Sequence, residues 1–443
     1  MNHLDRLADL IARARAAGAD AADAVLVAGT SLSVSRRLGK TEHVERSEGQ
    51  DLGLRVFIGK KAAIVSATSI DPAGFAALAE RAVAMAKVVP DDPYAGLAET
   101  AAPPEDASFL DMEDSAEPSA EDLIARAAIA EDAALSVPGV TNSEGADAGF
   151  SRGELYLVTS AGFVGHRAGT SHSISATALA GQGTGMQRDY DYDAKVYLSD
   201  LDDPAAIGRS AAARTLARLN PTRPKTAKLP VLYDPRVATS LLGSLMGAIN
   251  GASVARGTSF LKEKLGQKIF ASGIFIHDDP RRVRGLRSRV FDGEGTPTKA
   301  RTLIEDGVLT TWLLDSRSAK QLGMVSTGHA ARGTSGPPSP SATNLWLAAG
   351  TMTPDELMAD IKLGLYVTEM MGGGVNGITG DYSRGASGFL IRDGKLAEPV
   401  AEITVAGHAI EMFANLTPAN DLVFRRGTDS PTVRVDGMTM AGA

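Results

Sequence analysis

VATSLLGSLMGAINGASVA, Val237 to Ala255, carries no ionisable side chain, in a chain of 443 residues of which 22% are charged. Its reading decides the fold. By length and charge the stretch could cross a membrane, but Gly243, Gly247, Gly251, Asn250 and several Ser and Thr residues interrupt it. A spanning helix wants about twenty predominantly apolar residues. The expectation is a helix over 235–250 buried inside protein, and no membrane partner.

Composition supports a folded globular chain, with 44% hydrophobic residues, far from the polar, highly charged corner of disorder. At 443 residues it exceeds one ordinary core, so two or more domains are expected. Lys and Arg number 45 against 53 Asp and Glu. That balance argues against a nucleic-acid partner, which requires clustered cations to displace counterions. The densest basic run, RRVRGLR from Arg281 to Arg287, reads as a solvated loop. The absence of cysteine excludes disulfides, thiolate metal sites and a cysteine nucleophile. The opening MNHLDRLADLIARARAAGAD is an amphipathic helix without a secretory-signal pattern, so a cytoplasmic protein is expected.

Upstream of the uncharged stretch, a pattern occurs twice. After the first helix, alternating runs such as SLSVSRRL, DLGLRVFI and KKAAIVSA read as a strand meander, with FIGKKA as a hairpin turn. Asp71 and Pro72 then open a helix that Pro90 closes. Residues 90–118, rich in Pro, Asp and Glu, read as an exposed acidic connector. A helix from Ser119 to Leu135, strands GELYLVTS, GHRAGTSHSISATALAG and DYDYDAKVYL, and a helix in DPAAIGRSAAARTLARLN repeat the order. Downstream the texture is mostly β, with a further helix in TPDELMADIK, started by a capping box of Thr353 and Glu356. The fold class is therefore α+β: a helix–meander–helix unit over 1–89, the linker 90–118, a second such unit over 119–220, and a mostly β C-terminal domain over 221–443.

Several fragments resemble chemical motifs. GGGVNG, Gly372 to Gly377, fits a dinucleotide fingerprint in spelling, but it follows an expected helix and leads into an extended segment, the reverse of what that fingerprint needs. Such glycines suit a close backbone approach, as at an edge that binds an extended peptide. Asp189, Asp191 and Asp193 alternate with Tyr190 and Tyr192. Without the loop's glycine and glutamate they fit a strand with acids on one face better than a calcium loop. His277, Asp278 and Asp279, with His329 further on, combine imidazole and carboxylate but lack paired ligand spacing; they read as turn residues beside Pro280. Ser259 and Lys262 spell S-x-x-K without its companion motifs.

Longer strings are more distinctive: GLRVFIGKKAAIVSAT, RDYDY, DGEGTPTKARTLIEDGVL, STGHA, GDYSRGASGFLIRDGKLAEPVAEITVAG, and the uncharged helix with its trailing RGTSFL. Together, and in order along nearly the whole chain, they resemble the PmbA/TldE branch of the TldD/PmbA proteins (peptidase U62). The resemblance implies a cytoplasmic two-chain protease in which a TldD-type chain carries zinc on an H-E-x-x-x-H helix. Laid over that helix, this sequence has Gly243 and Ala248 at the histidine positions and Ser244 at the glutamate, and lacks the C-terminal cysteine ligand.

None of those side chains can hold zinc or take a proton from metal-bound water. The resemblance thus implies a chain with no catalytic residue and no cofactor of its own, with zinc in a TldD-type partner and unfolded or short peptides as substrates. The expected peptide-proximal or partner-proximal surface is Gly372, Gly373, Gly374, Gly380, Asp381, Ser383 and Arg384. Two rival classes stay open. One is a self-sufficient hydrolase using a metal at His277, Asp278 and His329, or the serine at Ser259. The other is a non-enzymatic peptide-binding or regulatory module that forms a homodimer on its own.

Overall fold

The computed structural model describes residues 2–100 and 103–442, so Ala101 and Ala102 of the expected connector lie outside the described residues. The chain begins with α1 (His3–Ala16), whose N-terminus is closed by an Asn2/Asp5 capping box. Then come β1 (Ala21–Arg37), β2 (Lys40–Ile58), β3 (Lys61–Ala67) and α2 (Phe75–Val88). The β1–β2 hairpin turns at Leu38 and Gly39, both at positive φ, the backbone that a two-residue turn between twisted strands requires. Leu7, Leu10, Ile11 and Ala14 of α1 pack with Leu78, Ala82 and Val83 of α2 onto Leu52, Leu54 and Val56.

The same order recurs in α3 (Ala120–Leu135), β4 (Val140–Thr159), β5 (Val164–Ala180), β6 (Gln187–Lys195) and α4 (Pro204–Ala217). The two meanders are not separate sheets. β1 pairs with β4, giving one antiparallel six-stranded sheet in the order β3-β2-β1-β4-β5-β6. α3 and α4 pack closely because of Gly208, where a Cβ would stand 2.0 Å from the Ala130 carbonyl oxygen. The aspartates of β6 do share one face, and it is the buried one: Asp189 meets Arg236 at 2.8 Å and Asp193 meets Lys195 at 2.7 Å.

The acidic connector is pinned rather than free. Asp92 pairs with Arg317 at 2.6 Å, Glu105 with Arg281, and Asp111 with Arg284 at 2.7 Å. The basic run read as a solvated loop is therefore the counter-surface of the connector. Each exposed pair is worth little alone, but the series fixes the connector between the two halves.

The C-terminal half is mostly β. It comprises β7 (Ala227–Tyr233), α5 (Pro235–Ala248), α6 (Gly251–Ala255), β8 (Ile276–Asp278), β9 (Arg301–Glu305), β10 (Val308–Leu309), α7 (Ser316–Gln321), β11 (Ala330–Ala331), β12 (Ser339–Pro340) and β13 (Leu345–Leu347). It continues with α8 (Pro354–Met358), β14 (Leu363–Val375), β15 (Asp381–Arg392), β16 (Lys395–His408), α9 (Ala409–Ala414), β17 (Leu416–Pro418), β18 (Thr428–Asp429) and β19 (Val433–Ala441). Strands run in the order β16-β15-β14-β7-β19, and β16 also pairs with β19, so these five close on themselves as a barrel. A second sheet, β10-β9-β8-β13-β18, lies beside it.

The glycine run does not directly follow a helix as expected: residues 363–371 before it are part of β14. The segment joins β7 in parallel through Leu365, Tyr366 and Val367, and alternates with the barrel interior, where Leu365 and Val367 are fully buried. Among the described residues no helix is long and apolar enough to cross a membrane.

Candidate functional site

α5 starts where Asp234 caps the Arg236 amide and Pro235 occupies the first turn, a geometry proline favours because its missing N–H would be unpaired there anyway. One face, Ala238, Leu241, Leu242, Leu245 and Ala248, is buried in the main C-terminal core. Burying each of these leucines contributes about 1.5–3 kcal/mol. The helix ends at Ile249, and Asn250 restarts the chain as α6 by accepting the amides of Ala252 and Ser253.

The opposite face corrects the expectation of a wholly buried helix. Gly243 and Gly247, one turn apart, are exposed, and a Cβ at either would meet nothing within 4 Å. Among the described residues, none uses the close approach that these glycines permit. Alanine at Gly243 is therefore expected to stabilise the isolated chain by up to about 1 kcal/mol, the helix-propensity difference. Urea unfolding checks it, and a loss of stability would contradict the open face.

The three positions aligned with metallopeptidase groups have different fates. Gly243 offers no side chain, Ser244 turns its Oγ back to donate to the Ser240 carbonyl at 3.0 Å, and Ala248 is buried. This donor set does not fit zinc, which wants nitrogen, thiolate or carboxylate ligands. Among the described residues no group of three or more His, Asp or Glu side chains is placed to hold a metal.

Beside α5 lies the distal end of the β14–β15 hairpin. Ser240 Oγ is 3.7 Å from Met370 Sδ, and the Phe260 amide donates to the Gly377 carbonyl at 2.8 Å, tying the loop after α6 to the hairpin tip. Gly372 and Gly373 together oppose Arg384 in a bulge between the Met371–Gly385 and Gly374–Ser383 pairs. Both have positive φ, and a Cβ on Gly373 would fall 2.1 Å from the Ser383 carbonyl oxygen, so glycine is required there.

Arg384 holds this bulge by donating from Nε to the Gly372 carbonyl at 3.0 Å. It makes no ion pair among the described residues, which leaves the rest of its fork free for a carboxylate or peptide carbonyls. Asp381 and Ser383 are exposed, and Asp381 accepts the Thr379 hydroxyl at 2.7 Å. Gly380 is buried against His408 and shapes the turn rather than a surface.

Sequence reasoning missed the apolar part of this surface. Met371 is 57% and Ile378 66% exposed, on the bulge and at the hairpin tip. The available signal was a large apolar residue set among Gly, Asn and Thr, where turn chemistry wants none.

The rival candidates are brought together only in part: Asp278 meets His329, while His277 and Ser259 stand apart from them. His277 and Asp278 are adjacent in strand β8, not in a turn, so they face opposite sides. His277 packs between Phe275 and Trp346, where burial lowers its pKa. On the other face Asp278 accepts the Thr343 hydroxyl at 2.7 Å and lies 3.1 Å from His329 Nε2, while His329 Nδ1 lies 2.8 Å from Thr327 Oγ1. Both ring nitrogens of His329 are thus occupied in a buried hydrogen-bond cluster. Asp279 caps the following turn at the Arg281 amide. Ser259 is buried, donates to the Ala248 carbonyl and accepts the Leu261 amide, while Lys262 is exposed. A serine so engaged with main chain has no base to activate it.

Comparison with known proteins covers nearly the whole chain. Residues 22–86, 113–219 and 226–442 match, in turn, the first, central and C-terminal domains of the PmbA/TldA metallopeptidases. Metalloprotease PmbA of Escherichia coli O157:H7 is 38% identical over 426 residues, covering 96% of this chain and 92% of that one. A Bacteroides thetaiotaomicron crystal structure, described as a candidate modulator of DNA gyrase, is 26% identical and superposes with a TM-score of 0.88 over 99% of this chain and 98% of that one. TldE from Thermococcus kodakarensis, 21% identical, shares the fold with a TM-score of 0.85 over 99% of this chain and all of that one.

Proposed function

The chain belongs to the PmbA/TldD metallopeptidase family, on its PmbA/TldE branch, and from that premise we propose that it is the non-catalytic subunit of a heteromeric zinc metallopeptidase acting on unfolded or short peptides. The observation that carries this reading is α5. At the positions where the family resemblance implies ligands and a base, the helix offers Gly243, a serine bonded to its own backbone, and a buried alanine. A two-chain enzyme reconciles relatives named as metalloproteases with an α5 that offers no zinc ligand at the aligned positions. The zinc and its general base then belong to a TldD-type partner in the cytoplasm.

In this reading the chain contributes assembly and part of the peptide path. The open Gly243–Gly247 face and the hairpin residues Gly372, Gly373, Gly374, Asp381, Ser383 and Arg384 form the surface toward partner or peptide, with Gly380 setting the turn. The experiment is to co-express the chain with an H-E-x-x-x-H chain from the same genome. Co-purification, with peptide hydrolysis by the pair and by neither chain alone, is expected. Hydrolysis by this chain alone would overturn the proposal, and a stable homodimer indifferent to that partner would favour the regulatory-module class.

A further inference from the structure

A cleft of about 660 Å³ opens between the N-terminal sheet and the C-terminal half, on the side formed by β4 and β5. Its walls carry Arg167, Arg289 and Arg332, with Arg287 further out. Three guanidiniums around one cavity require countercharge, and the described acids supply little of it. Arg332, its side chain fully shut from solvent, pairs with Asp23 at 2.6 Å. Neither Arg167 nor Arg289 makes an ion pair among the described residues, and Nε and Nη2 of Arg289 are shut from solvent without any hydrogen-bond partner.

The nearby carboxylates are committed elsewhere. Asp292 accepts the amides of Glu294, Thr296 and Ala330, and Glu154 is taken by the Tyr156 hydroxyl, His166 and Arg152. Burial, with the Arg289 charge beside it, pushes the Arg167 guanidinium down to about 9, which leaves it cationic at neutral pH. Both arginines are half-buried, and Asp292 acts on them through space without a hydrogen bond to either; cations held so, with no acid bonded to them, are costly to keep without use. Both arginines stand on fixed backbone. Arg167 lies in β5 opposite Leu155 of β4, and the main chain of Arg289 is held by the Pro280 carbonyl and the Thr298 hydroxyl.

We propose that this cleft is a carboxylate-binding site, in which Arg167 and Arg289 grip the C-terminal carboxylate of a short peptide. Guanidinium forks match a carboxylate in shape and charge. The adjoining mouth, also lined by Arg167 and Arg289, carries Glu105, Asp111 and Glu113, but these acids are already paired with Arg281, Arg284 and Arg152 and leave the two cleft arginines to a ligand. The choice of a peptide as bearer rests on the proposed peptidase role; the anion site itself stands on the arginines.

Calorimetry on the full chain tests it, with acetyl-trialanine as the free acid, the same peptide as the C-terminal amide, sodium acetate and inorganic phosphate as probes. The free acid is expected to bind, and the amide to bind about tenfold more weakly or not at all, the value of a charged hydrogen-bonded contact. Arg167→Met and Arg289→Met should each lose a similar factor. Their thermal midpoints should hold or rise, because each removes a half-buried cation that no acid hydrogen-bonds; a merely structural arginine would leave a less stable protein. Equal binding of acid and amide, or no binding of the acid, would overturn the site on the unmodified chain, whatever the variants do. Acetate or phosphate binding as tightly as the peptide would overturn the peptide assignment. Neither result touches the co-expression experiment, so failure here and failure of the two-chain reading are distinguishable.

Discussion

Asp23→Ala is expected to cost about 3–5 kcal/mol of unfolding free energy, the range for removing one partner from a buried ion network. Asp23, on β1, is 1% exposed. It accepts from Arg55 Nε at 3.0 Å and lies 2.6 Å from Nη1 of Arg332. Arg55 in turn reaches Glu294 at 3.4 Å, and Glu294 caps the Ser316 amide at 2.8 Å. Two acids and two arginines therefore close a neutral cluster across the junction between the six-stranded sheet and the C-terminal half. Without Asp23 two buried guanidiniums share one carboxylate.

The sign of the pH dependence follows from Asp23. Burial alone would raise its pKa, but Arg332 and Arg55 more than offset that and hold it below the usual carboxylate value. A depressed acid contributes stability that is present above its unfolded pKa, about 4, and is lost as pH falls through the lower folded value. Urea unfolding should thus show a wide gap between the parent and Asp23→Ala at pH 7 that narrows below about pH 4. A gap under about 1 kcal/mol at pH 7 would mean that the network is solvated and does not hold the junction.

If the proposed two-chain enzyme is right, Met371→Asp combined with Ile378→Asp is expected to leave the isolated chain as stable as the parent while weakening association with the proposed TldD-type chain by about 2 kcal/mol or more, about thirty-fold in Kd. Both side chains are already exposed, so placing charges there costs the folded monomer little. At an interface the same charges would be buried without partners. Affinity by calorimetry or surface binding, with a urea melt as control, separates the two effects. Unchanged affinity would move the partner surface away from the hairpin tip.

The α+β class, the repeated helix–meander–helix order and the presence of helix α5 carry local signals: caps at Asn2, Ser119, Asp234 and Thr353 and leucines at helical spacing. What periodicity does not contain is pairing between distant segments. Fusion of the two meanders through β1 and β4, and closure of the barrel by β16 and β19, depend on edges that nothing local specifies. The segment 363–371 shows the same limit, since its parallel pairing with β7 overrides any helical reading. At the candidate site, the glycine run marks an irregular backbone in the sequence, and the structure places it in the β14–β15 bulge that Arg384 holds. The exposure of Gly243 and Gly247 was not legible, because an apolar, uncharged helix reads as buried on every side unless it is known which neighbours are absent. The clustering of Asp23 with Arg55, Glu294 and Arg332 likewise joins residues more than 300 positions apart.

The account turns on α5 as a metallopeptidase helix without its metal chemistry. Zinc per chain, measured by elemental mass spectrometry on the chain purified alone, loaded with zinc and dialysed, tests that claim most directly. No retained zinc is predicted, because Gly243, Ser244 and Ala248 offer no ligand set and the histidines elsewhere are apart or already bonded. One zinc per chain would contradict the account and return attention to His277, Asp278 and His329.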